Sequence, residues 1–80
     1  MQKSLSSSKH QKFLNLLKEI RESAGLRQQD VASVLKQPQS FVSKYESGER
    51  RLDLLELEQV CDACGTDLLE FTRRYLKESS

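Results

Sequence analysis

The sequence predicts an all-α domain of five short helices, and three observations support this fold class. Helix-favouring residue types dominate a chain with three glycines, one proline and no tryptophan. Apolar residues recur at helical spacing, and no segment shows the alternation typical of β-strands. Each glycine follows a helical stretch, where a residue in the left-handed conformation commonly ends a helix. Eighty residues are enough for one domain with a single core.

The boundaries of the helices follow from end signals. We expect helices over residues 9–24, 28–35, 38–47, 54–64 and from residue 68 onward. Pro38 suits the start of the third helix, because the N–H that it lacks is unpaired at that position. Spacing indicates N-terminal capping boxes at Asp53 with Glu56 and at Asp67 with Glu70.

Apolar positions within these helices predict one core. The first helix carries one apolar face: Phe13, Leu17, Ile20 and Ala24. The later helices add Val31, Ala32, Leu35, Val42, Tyr45, Leu57, Val60, Cys61, Cys64, Leu68, Phe71, Tyr75 and Leu76. We expect the domain to span residues 9–77, with a flexible arm at 1–8 and a disordered tail at 78–80.

Charge is distributed unevenly along the chain. Residues 1–27 carry six basic and two acidic groups (+4), residues 28–52 four and three (+1), and residues 53–80 three and seven (−4), which together give the net charge of +1. This polarity predicts that the basic N-terminal part faces a polyanion while the acidic helices four and five face away from it.

Several classes of protein are excluded by what the sequence lacks. No apolar run reaches the roughly 18 residues of a membrane span, and the N-terminus has no apolar segment typical of a signal peptide. With His10 as the single histidine and no phosphate-binding glycine loop, we expect neither an enzyme nor a cofactor. Two cysteines without a secretion signal indicate a reducing, cytoplasmic setting.

The two cysteines form a C-x-x-C motif at Cys61 and Cys64. A zinc site needs two further ligands, whereas free cysteine packs well as a small apolar residue. The spacing places both on the core side of the fourth helix, so packing is the favoured interpretation and no metal is expected.

The second and third helices are separated only by Lys36 and Gln37, so they must cross steeply, as in a helix-turn-helix. The segment from Leu26 to Arg51 resembles the Cro/repressor (XRE-type) helix-turn-helix family, which has a lambda-repressor-like DNA-binding fold. The resemblance extends from about residue 17 to 71. It rests on an ordered set: Gly25, Leu26, Gln28, Ala32, Val42, Glu46, Ser47 and Gly48.

The resemblance implies roles for polar residues around this motif. Bases in the major groove would be read by Gln37, Gln39, Ser40 and Lys44, side chains that suit adenine and guanine edges. DNA phosphates would be bound by Arg27, Gln28, Ser43, Arg50 and Arg51. Gln28 would also brace the third helix, which is the recognition helix of this motif. The alternative is that Gln39, Ser40 and Lys44 form only the solvated face of an amphipathic helix, and that Arg50 and Arg51 are ordinary surface charges.

The resemblance also implies an ion pair between Arg21 and Glu46, and a dimer patch on the last helix at Phe71, Tyr75 and Leu76. The same three apolar residues are also core candidates. The sequence departs from the family pattern at three positions. Lys36 replaces a usual glycine and is expected at positive φ; Arg27 replaces a usual capping residue; and Phe41 is bulky, with packing beside Tyr45 favoured over contact with a thymine methyl group.

The sequence thus predicts a DNA-binding transcription regulator that binds a palindromic operator in the major groove as a homodimer. It fits a phage-type repressor, a restriction–modification controller or an antitoxin, in a prokaryotic or phage setting at the nucleoid. No small-molecule ligand and no membrane partner are expected. The alternative is an antitoxin or other protein-interaction module in which a toxin or another protein is the main partner.

Overall fold

The computed structural model describes residues 8–79 and contains five helices. They are α1 (Ser8–Ser23), α2 (Gln28–Leu35), α3 (Gln39–Ser47), α4 (Leu54–Ala63) and α5 (Leu68–Ser79), and this part of the chain has no strand. The predicted all-α, five-helix fold is confirmed. The predicted arm falls on residues 1–7, outside the described residues, and on Ser8, the first residue of α1. The last helix continues to Ser79, into the segment where a disordered tail was expected.

The core forms where α2 packs on α3 and α4, and where α1 packs on α3 and α5. Its buried apolar residues are Leu14, Leu16, Leu17, Ile20, Val31, Ala32, Val42, Tyr45, Val60, Cys61, Cys64 and Phe71. Phe13, Leu35, Leu57 and Tyr75 are partly buried against this cluster. The helical periodicity therefore predicted most of the core correctly, and α1 and α5 account for the differences.

Two predicted core residues are exposed, and two core residues were missed. Ala24 lies beyond the end of α1, in the turn that leads to Gly25, and is exposed. Leu76 lies in the last turns of α5 and is 60% exposed. Leu14 and Leu16 are buried in a helix that contacts both α3 and α5, and the single apolar face predicted for α1 did not include them.

The turn between α2 and α3 is made by a lysine in the left-handed conformation. Lys36 has φ 59° and ψ 43°, as expected from its position. Its N–H bonds to the carbonyl of Ser33, and that of Gln37 bonds to the carbonyl of Ala32 at 2.9 Å. This tight ending reverses the helical conformation at Lys36, so that α3 begins only a few residues after α2 ends, as in a helix-turn-helix.

The start of α4 is fixed by the predicted capping box. The carboxylate of Asp53 accepts the N–H of Glu56 at 2.8 Å, and the carboxylate of Glu56 accepts the N–H of Asp53 at 3.0 Å. At α5, Asp67 accepts the N–H of Glu70 at 2.8 Å. None of the described helices is long and apolar enough to cross a membrane.

Candidate nucleic-acid interface

The polar residues of α3 lie on its open side. Val42 and Tyr45 face the core, whereas Gln39, Ser40, Ser43 and Lys44 are exposed at the spacing of one helical face. Gln37 is exposed in the preceding turn. All four residues predicted to read bases are therefore accessible, one in the α2–α3 turn and three on the exposed face of α3.

A buried ion pair underlies this surface. The guanidinium of Arg21 in α1 donates to both oxygens of the Glu46 carboxylate in α3, with Nε–Oε2 at 2.7 Å and Nη2–Oε1 at 3.1 Å. The remaining nitrogen, Nη1, donates to the carbonyl oxygen of Leu26 at 2.9 Å. Hydrogen bonding to Glu46 raises the pKa of Arg21, against the opposing effect of burial. The partners implied by the resemblance are thus in contact, in a two-pronged geometry.

Two glutamines extend this pair to the exposed surface. The Nε2 of Gln28 donates to Glu46 Oε1 at 3.1 Å, and the Nε2 of Gln39 donates to Gln28 Oε1 at 3.2 Å. A carboxylate only accepts hydrogen bonds, so the amide nitrogen of Gln28 must face Glu46 and its oxygen must face Gln39. This fixes the direction of the chain of hydrogen bonds from the core to a predicted base-reading residue.

The orientation leaves Gln39 equipped to recognise a base. Its Nε2 uses one hydrogen for Gln28, and the second hydrogen and the Oε1 form no other bond within residues 8–79. One donor and one acceptor on the same amide are what a bidentate contact with adenine requires. Gln28 therefore links α2 to α3 through hydrogen bonds with both Glu46 and Gln39.

Two of the predicted phosphate-binding arginines are committed to carboxylates in the chain. Arg27 forms a fork with Asp30, Nη2–Oδ1 at 2.9 Å and Nε–Oδ2 at 3.1 Å, while its N–H donates to the same carboxylate at 2.8 Å. The Arg27 side chain, followed by its backbone N–H, lowers the pKa of Asp30 to about 2. An arginine side chain cannot accept a hydrogen bond, so Arg27 cannot cap α2 in the usual way. At this helix start the Asp30 carboxylate instead accepts the backbone N–H of Arg27.

Arg50 connects the recognition helix to α4. It donates to both oxygens of Glu56, Nη1–Oε1 at 3.0 Å and Nη2–Oε2 at 2.8 Å, and its guanidinium carbon lies 4.7 Å from the centre of the Phe41 ring. The pKa of Glu56 falls to about 2, first through Arg50 and then through the N–H of Asp53. No motif in the sequence indicates this contact, although the predicted capping box places Glu56 at the start of α4.

Phe41 packs within the protein. Its ring and that of Tyr45 are in an edge-to-face arrangement, with centroids 5.6 Å apart, and the Arg50 guanidinium lies over the Phe41 ring. Lys44 and Arg51 are two basic residues that were predicted to contact DNA. Both are exposed and have no ion-pair partner among the residues that the structure describes. Lys44 and Arg51 are therefore the cations in the predicted interface whose charge is not already balanced.

The predicted dimer patch is corrected by burial. Phe71 is 2% exposed and belongs to the core, so it is not available to a second chain. Tyr75 is half-buried against Phe13, with ring centroids 6.3 Å apart. Leu76 is exposed, and Leu69 lies seven residues earlier on the same face of α5 and is also exposed.

The C-x-x-C motif is part of the core. Cys61 and Cys64 are both buried and free, and burial raises the pKa of each thiol to about 11. In residues 8–79 no group of side chains is arranged to hold a metal ion. Packing, the favoured interpretation of this motif, agrees with this environment.

Comparisons with known proteins agree with this geometry. A family model described as helix-turn-helix matches residues 17–71. An XRE-family-like protein from Pseudomonas syringae pv. tomato is 40% identical, with a TM-score of 0.84 over 91% of this chain and 89% of that one. The restriction–modification controller protein C.Esp1396I is 25% identical, with a TM-score of 0.80 over 91% of this chain and 96% of that one.

The same controller has also been solved as a tetramer in complex with its natural 35 base-pair operator, with a TM-score of 0.79 to this chain at 25% identity. A search of curated protein sequences gives no significant match. The family model covers well over half of the chain, and its fold is that of regulators rather than of enzymes. The chain belongs to the XRE-type helix-turn-helix family of DNA-binding transcription regulators.

Proposed function

We propose that this protein regulates transcription by binding a two-fold symmetric DNA site as a dimer, with α3 in the major groove of each half-site. The observation that carries the proposal is the hydrogen-bonded chain from Arg21 through Glu46 and Gln28 to Gln39. It fixes a base-reading amide on an exposed helix face before DNA arrives, which lowers the entropic cost of recognition.

Within this proposal each exposed residue has a distinct role. Gln39 pairs with adenine, Lys44 reaches the acceptors of guanine, and Ser40 contacts either base type, with Gln37 at the margin of this set. Gln28, Ser43 and Arg51 hold phosphates and set the register. Arg27 and Arg50 contribute less to phosphate binding, because Asp30 and Glu56 already balance their charges.

The dimer is proposed from the requirements of the site and from the exposed face of α5. Two recognition helices must lie about 34 Å apart to enter successive major grooves on one side of the duplex. Leu69 and Leu76 form an apolar pair on the free face of α5, with Tyr75 at its edge. The tetramer of the similar controller on its operator supports assembly on DNA for this fold.

The decisive experiment is selection from a randomised duplex library with the purified full chain at near-physiological salt. Enrichment of a two-fold symmetric site supports the proposal, and Gln39→Ala should then lose its preference at one base pair in each half-site. Enrichment of a single half-site keeps the DNA-reading role and refutes the dimer.

Salt dependence provides an independent check on the class of partner. A phosphate-binding dimer loses affinity steeply as salt is added, with a slope that reports the number of phosphates contacted. Absence of enrichment from folded protein, together with a flat salt dependence, would contradict the proposal. The acidic surface of α4 and α5 would then be tested against protein partners, a toxin among them.

A further inference from the structure

A cleft lies next to the end of the recognition helix, outside the set of predicted DNA contacts except for Arg50 and Arg51. It opens between the first turn of α1, the loop after α3 and the C-terminal half of α5, and has a volume of about 360 Å³. Small-molecule sites commonly occupy about 300–1,000 Å³. The apolar part of its lining consists of Phe13, Leu14, Leu52 and Tyr75.

The polar part of the lining is basic, and Lys9, Arg50 and Arg51 carry its positive charge. Lys9, His10, Arg50 and Arg51 line the cleft, and none of the lining residues is acidic, although the whole chain has 12 acidic residues and a net charge of only +1. Glu56 balances Arg50. Lys9 and Arg51 have no ion-pair partner within residues 8–79, so their charge is available to a ligand.

Gly48 lies in the wall of the cleft, next to Leu14 and His10. It ends α3 with φ 88°, and a Cβ at this position would lie 3.1 Å from Leu14 Cδ1 and 3.5 Å from His10 Nε2. A side chain there would be strained at this φ and would need Leu14 to shift by a few tenths of an ångström, and glycine avoids both. The cleft thus combines Lys9 and Arg51, which have no ion-pair partner within residues 8–79, with an apolar and aromatic surface.

We propose that this cleft binds a small organic anion, an aryl phosphate or aryl carboxylate, with its oxyanion at Lys9 and Arg51 and its ring on the apolar lining. Charge-assisted hydrogen bonds suit the oxyanion, and edge contacts with Phe13 and Tyr75 suit the ring. Occupation of the cleft competes with DNA for Arg51. This competition rests on the proposed function, whereas the ligand site itself does not.

The test uses the full chain and phenyl phosphate as the probe. Saturable shifts of the Gly48 and Leu52 amide signals, and a melting temperature that rises with probe concentration, are expected. Lys9→Gln should raise the Kd about fivefold or more. Lys18→Gln is the matched control, since it removes the same charge from an exposed position of α1 that does not line the cleft.

Inorganic phosphate at equal ionic strength separates the two parts of the ligand. It should bind at least about tenfold more weakly, because it lacks the ring that the apolar surface accommodates. Equal binding of the two probes would contradict the proposed ligand class. Absence of saturable shifts, or equal weakening by Lys9→Gln and Lys18→Gln, would overturn the site.

A second set of experiments measures the affinity for the selected duplex with and without phenyl phosphate. Phenyl phosphate at constant ionic strength should weaken DNA binding of the wild-type chain and have less effect on Lys9→Gln. A lower salt slope for Lys9→Gln without probe binding would refute the small-anion site and assign the cleft to the DNA backbone. Because the first set of experiments contains no DNA, failure of the proposed function would not be mistaken for failure of this site.

Discussion

Two arginine–glutamate pairs hold the recognition helix, and they differ chiefly in their surroundings. Arg21–Glu46 and Arg50–Glu56 have closest N–O distances of 2.7 Å and 2.8 Å, so their geometry is nearly the same. The side chains of the first pair are 10% and 5% exposed, and those of the second are 39% and 28% exposed. Burial, rather than distance, therefore decides what each pair contributes.

The buried pair is held by partners that satisfy its remaining polar atoms. Leu26 accepts from Arg21, and Gln28 donates to Glu46, so that desolvation is offset by four hydrogen bonds. Water partly screens the half-exposed pair Arg50–Glu56, in which the Arg50 guanidinium also lies over the Phe41 ring. The first pair organises the reading surface from inside the domain, and the second fastens α3 to the start of α4.

The largest expected effect comes from breaking the buried pair. Arg21→Ala leaves the Glu46 carboxylate buried without its counter-charge, so the free energy of unfolding should fall by about 3–5 kcal/mol. Arg51→Ala, an exposed arginine without an ion-pair partner in residues 8–79, should change it by less than about 0.5 kcal/mol. Urea denaturation followed by circular dichroism measures both. Equal shifts for the two variants would show that the Arg21–Glu46 pair is not a structural contact.

Replacing both partners should separate stability from recognition. In an Arg21→Met, Glu46→Leu double variant no charge is stranded, so most of the stability lost in Arg21→Ala should return. Gln28 then has no carboxylate to bind and Gln39 loses its fixed orientation. Affinity for the selected DNA site should fall about tenfold, as expected for one weakened bidentate base contact. Unchanged DNA affinity in a stable double variant would mean that the hydrogen-bonded chain does not position Gln39.

Of the two ion pairs, only Arg21–Glu46 could be predicted from the sequence. Glycines, capping residues and apolar spacing are local signals, and they predicted five helices with ends within one or two residues. The pairing of Arg21 with Glu46 was available because it accompanies a recognisable motif. Arg50 with Glu56 has no such pattern, since it depends on how the loop after α3 returns over Phe41.

Burial on α1 and α5 was less accessible from sequence for a related reason. Helical periodicity identifies an apolar face, but not the neighbour that covers it. Phe71 was a candidate both for the core and for a dimer patch, and only the packing of α5 placed it inside. Leu14 and Leu16 lie outside the one apolar face predicted for α1, and they are buried in a helix that contacts both α3 and α5.

A smaller loss of stability is expected at acid pH, and it comes from the two more exposed ion pairs, Arg27–Asp30 and Arg50–Glu56. The pKa values of Asp30 and Glu56 fall to about 2 from ordinary values of 3.8 and 4.5. A lowered folded-state pKa contributes stability above the unfolded-state pKa, and this is lost as pH falls toward 2. Asp30→Asn with Glu56→Gln should therefore flatten the decline in urea midpoint between about pH 5 and pH 2. Parallel acid declines in the variant and the wild-type chain would contradict these shifts.

The smallest effect tests a polar atom next to the buried pair. Tyr45 is 1% exposed, and its hydroxyl has no hydrogen-bond partner among the residues that the structure describes. Burial raises the pKa of Tyr45, so the group stays neutral. Tyr45→Phe removes the cost of desolvating this hydroxyl and loses no hydrogen bond within residues 8–79. The free energy of unfolding should thus stay constant or rise by up to about 1 kcal/mol.

Tyr75→Phe makes the same atomic deletion at a half-buried position and is the matched control, with little change expected. A loss of about 1 kcal/mol or more in Tyr45→Phe alone would show that the hydroxyl is hydrogen-bonded in solution. In that case the buried polar groups around Arg21 and Glu46 would include the Tyr45 hydroxyl, and the contrast with the half-exposed Arg50–Glu56 pair would be larger than the two ion pairs alone indicate.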